Sequence, residues 1–141
     1  MHRNADVAII GFGTNDANYY YSINNNITNA GLHYELLKHL CVVLLSSTPV
    51  RRIILLPVPL VNLITDSKRN FMVNSMIAQF NLVRSRLADE FGSDLEYLQD
   101  LEYGTTHLAD DGLHLNHDGV KILAYYVSKS LQMFYNANLV R

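Results

Sequence analysis

At 141 residues and 49% hydrophobic, the chain has the length of one domain and enough apolar side chains for one core. Charged residues make up 17% and the formal net charge is −2, which excludes the broad basic field that a nucleic-acid partner requires. No apolar run reaches membrane-spanning length and Met1-His2-Arg3-Asn4 does not open a secretory leader, so a soluble protein with no membrane partner is expected, with the cytoplasm the favoured compartment.

Val7-Ala8-Ile9-Ile10, ending in Gly11-Phe12-Gly13, is a short continuously apolar segment, the pattern of a strand buried on both faces in a parallel sheet. Gly13-Thr14-Asn15-Asp16 comes next. The polar stretch from Ala17 to Asn29, with Tyr19-Tyr20-Tyr21, is expected to be a long loop, either a solvated connection or a pocket wall. It contains the glycosylation-type triplet Asn26-Ile27-Thr28, a pattern common by chance.

From Leu32 the apolar positions Leu36, Leu37, Leu40, Cys41, Leu44 and Leu45 recur at helical spacing, until Ser46-Ser47-Thr48-Pro49 stops the run. Cys41, the only cysteine, has no intrachain partner for a disulfide and reads as a small buried hydrophobe. His33, Glu35 and His39 read as helix surface. Ile53-Ile54-Leu55-Leu56 is the second buried strand, with Pro57 and Pro59 where no ladder donor is needed.

Thr65, Asp66 or Ser67 caps the next helix, whose inner face is Val73, Ile77, Phe80, Val83, Leu87 and Phe91 and which Gly92 ends. Leu95-Glu96-Tyr97-Leu98, shorter and more polar, suits an outer strand. Asn116 is placed to cap a last helix with core positions Val120, Leu123, Val127, Leu131 and Phe134. Strand–helix alternation with apolar strands predicts a three-layer α/β/α sandwich with a mainly parallel sheet, in a single domain.

In such a sheet, reactive groups gather beyond the C-terminal ends of the strands. Asn15 follows the first strand and Asp111 with His114 follows the third, so all three are expected on one rim. There an Asn amide can donate to a developing oxyanion, and His114 can act as general base with Asp111 holding its other nitrogen.

Gly13-Thr14-Asn15-Asp16 resembles the Gly-x-Asn-Asp block of the SGNH, or GDSL-type, hydrolases, and Asp111-Gly112-Leu113-His114 resembles their closing Asp-x-x-His block. Leu115-Asn116-His117-Asp118-Gly119 and Ile122-Leu123-Ala124 are similar to that block's run into its final helix, so the resemblance spans Asp6 to about Leu131. It implies a flavodoxin-like sheet of order 2-1-3-4-5 and hydrolysis of a small-molecule carboxylic ester through an acyl-serine, without cofactor or metal. Asn15 and Gly13 would serve the oxyanion and substrate, His114 would be the base and Asp111 its orienter.

The family's serine and glycine blocks precede the Gly-x-Asn-Asp block, but the twelve residues before Gly13 contain no serine. The nucleophile is therefore expected to be missing, together with the first strands, and the chain as given to be inactive by that route. Ser22 lacks the Gly-Asp context and Cys41 is helical and apolar in setting, so neither replaces it. Without its neighbour the strand at Val7 to Ile10 becomes an edge, and the expectation is a fragment or a chain that pairs with another there.

Two rival readings remain. His107, Asp110, Asp111, His114 and His117 are possible metal ligands, but their spacing matches no zinc pattern. A non-catalytic binding module is the other, as in the Oskar-type domains that resemble these hydrolases and bind RNA. Its basic residues would be Arg51-Arg52 and Lys68-Arg69, which read otherwise as solvated element ends.

Overall fold

The computed structural model describes residues 5–17, 30–63 and 66–139, and within them three short strands form one open parallel sheet in the order β1-β2-β3. β1 is Val7–Ile10, β2 is Arg52–Leu55 and β3 is Leu95–Tyr97. Val7 stands opposite Arg52, and Ile53 opposite Leu95. Parallel neighbours must be joined by a crossover. α1 (Ala30–Ser47) precedes β2, α2 (Ser67–Phe91) precedes β3, and α3 (His117–Leu139) ends the series. No helix among the described residues is long and apolar enough to cross a membrane.

Successive strand side chains point to opposite faces. Ile53 and Leu55 join Ile10, Leu37, Cys41, Leu87 and Leu95 in a cluster under α1 and α2. Ile54 faces the other way, into a cluster with Leu98, Leu101 and the α3 residues Ile122, Leu123, Tyr126, Val127 and Leu131. Helices therefore cover both faces of β2, which explains its unbroken apolar sequence.

β1 departs from the expectation of burial on both faces. It is an edge of the sheet among the described residues, and Ile9 is 46% exposed. α3 lies over Ile54 and the chain after β3, and its cluster reaches only Val7 of β1.

The Asp66 side chain caps α2 by accepting from the Arg69 N–H at 2.9 Å, and the Gly92 N–H closes the helix on the Ala88 carbonyl. Its inner row holds two residues beyond those expected, Met76 and Arg84. α3 begins as expected, with Asn116 Oδ1 accepting from the Gly119 N–H at 3.0 Å. Val120, expected in the core, is 50% exposed. Gly119 faces the preceding loop at its first turn, against the His107 carbonyl and the Leu115 side chain, and this rotates Val120 outward.

Residues 14–17 form a helical turn, with the Ala17 N–H donating to the Gly13 carbonyl at 3.0 Å, so the expected loop does not start at Ala17. Ala17 is buried with Val58, Val61 and the α2 residues Val73, Met76, Ile77 and Phe80. Tyr19 to Tyr21, Ser22, the Asn26 triplet and Thr65 lie outside the described residues.

Candidate active site

Beyond the C-terminal end of β1 lies a cleft of about 570 Å³, with the segment from Gly11 to Asp16 on one side and Leu113 and His114 on the other. It brings together Gly13, Asn15 and His114, which the sequence separates by a hundred residues. Asp111 stands behind His114 and is bonded to it.

The loop carrying this pair is tightly specified. Leu108 and Leu115 form an isolated antiparallel bridge, and between them the Ala109 N–H donates to the His114 carbonyl at 2.7 Å. Asn116 closes the base of the loop by donating to the Thr106 and Leu108 carbonyls at 2.7 and 3.1 Å. At the tip, Asp111 Oδ1 accepts from the backbone N–H groups of Leu113 and His114 at 2.9 and 3.0 Å, while Oδ2 lies 2.5 Å from His114 Nδ1.

These bonds, led by that to the His114 ring, hold the Asp111 carboxyl down at about 2. An ionised carboxylate accepts only, so Nδ1 carries the hydrogen and the lone pair is left on Nε2. The His114 side chain is 80% exposed, which leaves Nε2 accessible.

The opposite wall is held from beneath. Arg84 is fully buried and donates through Nη1 to the Leu56 carbonyl at 2.7 Å and through Nη2 to the Phe12 carbonyl. One guanidinium thus fastens the chain leaving β1 to the chain leaving β2. Burial lowers the Arg84 pKa to about 10, opposed by nearby Tyr97 and Asp16. Gly13, at φ +146°, passes directly over this group. A β-carbon there would lie 2.6 Å from Val58 Cγ2 and 3.1 Å from Arg84 Nη2.

Three asparagines of α2 grip the segment after β2. Asn81 accepts from the Val58 N–H at 2.8 Å and donates to its carbonyl at 3.1 Å. Asn74 does the same for Val61 at 2.7 and 2.9 Å, and Asn70 for Leu63 at 2.6 and 2.7 Å. A primary amide presents one acceptor and one donor side by side, which matches the N–H and C=O of a single extended residue. The gripped segment in turn meets the dyad loop, where the Asn62 N–H donates to the Gly112 carbonyl at 2.8 Å.

Sequence reasoning missed these supports. Their signals were present: Asn70, Asn74 and Asn81 share one helix face, and Arg84 stands in the apolar row with Val73, Ile77, Phe80 and Leu87. His33, expected at the surface, is buried. Its ring stacks on Phe80 with centroids 3.9 Å apart, and Nε2 has no hydrogen-bond partner among the described residues. Desolvation, and secondarily the charge of Arg84, lowers its pKa to about 4. Cys41 is fully buried, and burial pushes its thiol up to about 11.

Of the two alternative nucleophiles, only Cys41 falls among the described residues. Cys41 does not line the cleft, and Ser22 lies outside the described residues. His107 Nδ1 accepts from the Gly104 N–H at 2.8 Å, which takes that nitrogen away from metal binding. No three potential ligand side chains converge among the described residues.

Comparison of the chain with protein-family models, with curated proteins and with solved structures gave no match.

Proposed function

We propose that the cleft is the acid–base and oxyanion half of a carboxylic ester hydrolase of the SGNH type. The observation that carries the reading is the Asp111–His114 pair, its Nε2 accessible, across one cleft from Gly13 and Asn15. His114 takes the proton of the attacking hydroxyl and returns it to the leaving alkoxide, Asp111 steadies the imidazolium, and Asn15 donates to the carbonyl oxygen as it gains charge. The nucleophile comes from outside the described residues, since no serine or cysteine lines the cleft among them. For the finer fold, a three-layer sandwich of order 2-1-3-4-5, the support is the parallel run β1-β2-β3 with helices against both faces of β2, which suits its third, fourth and fifth strands.

With no serine or cysteine in the cleft lining among the described residues, water is the nucleophile within reach of His114 there. A positioned imidazole acting on water as a general base contributes roughly 100- to 10,000-fold. The chain should therefore hydrolyse p-nitrophenyl acetate at about that level, lose this activity in His114→Ala, and resist labelling by a fluorophosphonate. A rate unchanged by His114→Ala would refute the reading and favour the second one, a non-catalytic binding module. That alternative rests on the same lack of a serine or cysteine in the cleft lining.

A further inference from the structure

We propose that Arg84 is a positioning residue that aims the Gly13 N–H into the cleft as an oxyanion donor beside Asn15. The inference rests on the esterase reading above, and adds to it a second donor and the group that orients it.

The polar groups of the segment can be accounted for one by one. The Phe12 carbonyl accepts from Arg84 Nη2, and the Gly13 carbonyl accepts from the Ala17 N–H at 3.0 Å. Gly13 is buried and lines the cleft, yet its N–H donates to no group among the described residues. A buried backbone N–H without an acceptor is rare and costly, and an oxygen arriving in the cleft supplies one.

The direction of that N–H follows from the peptide. The Phe12 carbonyl and the Gly13 N–H belong to one trans peptide, so they point opposite ways. Arg84 is fully buried and does not line the cleft. Drawing the carbonyl down to the guanidinium therefore turns the N–H away from α2 and towards the open side. The contact is close, since a β-carbon on Gly13 would lie 3.1 Å from Nη2.

The charge argues the same way. Asn70, Asn74 and Asn81 hold backbone from the same helix with neutral amides, whereas position 84 uses a cation. Both of its hydrogen bonds go to neutral carbonyls, and no carboxylate bonds to it among the described residues. Burying a cation in this way costs far more than burying an amide. With a pKa of about 10, it stays charged at neutral pH. Asp16 and Asp111 place two carboxylates at the cleft, and the cation beneath Gly13 offsets them for an oxygen that gains negative charge.

Two substitutions test the assignment. Arg84→Lys keeps the charge but lacks the fork that spans two carbonyls, and Arg84→Met keeps the bulk and removes both bonds. His114-dependent hydrolysis of p-nitrophenyl acetate should lose about tenfold in kcat in the first and about a hundredfold in the second, with KM within about twofold. A residue that only held the fold would lower stability and leave the kcat of the folded variant unchanged. The second readout needs neither turnover nor a variant. p-Nitrophenyl methylphosphonate is a stable tetrahedral anion with the shape of the ester's water adduct. It should move the Gly13 amide proton of the wild type downfield, and bind about tenfold more weakly to Arg84→Lys. A Gly13 amide that ignores the phosphonate overturns the proposal, as does an unchanged kcat in folded Arg84→Lys; hydrolysis that still depends on His114 then leaves the esterase reading standing. Hydrolysis independent of His114 removes that reading instead, and the Gly13 shift with its dependence on Arg84 decides by itself whether the two form an oxyanion site.

Discussion

The carbonyl of Asn62 occupies the place that a β-carbon on Gly112 would take, while the Asn62 N–H donates to the Gly112 carbonyl at 2.8 Å. The segment after β2 and the loop that carries Asp111 and His114 therefore touch backbone to backbone. Gly112 also sits at φ +69°, in the left-handed region. Gly112→Ala combines conformational strain with a steric conflict that no rotamer relieves, and should lower stability by about 3 kcal/mol. Urea denaturation measures it; a change below about 0.5 kcal/mol would mean that the two loops do not meet as described.

Asp111→Asn keeps an oxygen for the Leu113 and His114 N–H groups but presents an amide to His114 Nδ1. The amide donates where the carboxylate accepted, so the hydrogen should move to Nε2 and the lone pair to Nδ1. Imidazole ¹⁵N shifts read this directly. The wild-type protein should show a protonated Nδ1 and the variant a protonated Nε2, with His114-dependent ester hydrolysis falling in parallel.

Asn74→Leu is nearly isosteric and strips both bonds from Val61, a buried residue whose backbone N–H and C=O lose their side-chain partner. A loss of about 2 to 3 kcal/mol is expected, more than for a surface asparagine because the stranded groups stay desolvated. Hydrogen exchange at the Val61 amide should accelerate well before that of β2.

His33 imposes a pH window on stability. Its folded pKa of about 4 is below the ordinary 6.5, so the unfolded chain takes up the proton first. The stability from the neutral ring is complete above about 6.5 and is lost as the pH falls towards 4, a total of up to about 3 kcal/mol. Asp111 adds a separate loss at lower pH, between its ordinary 3.8 and about 2. Thermal unfolding between pH 7 and 4 should show the first decline in the wild type and much less of it in His33→Phe, which retains stacking on Phe80 without a titratable group.

Much of the molecule was legible along the chain because local rules decided it. The three strands fall within one residue of the apolar runs that announced them, and Asp66, Gly92 and Asn116 end or begin their helices as capping chemistry requires. Asp111 and His114 pair as read, since three residues in a tight turn leave the carboxylate within reach of both the backbone and the ring. What periodicity alone could not decide was which polar residues the interior would take. Arg84 and His33 were drawn inside because the chain ends of β1 and β2 expose carbonyls there and Phe80 offers a ring face. Composition alone reads β1 as a doubly covered strand, whereas its edge position among the described residues was expected only from the resemblance, because cover depends on which neighbours fold against it. A sequence sets what each segment prefers locally, whereas packing decides which strand becomes an edge, which charge is buried and which loops meet at a cleft.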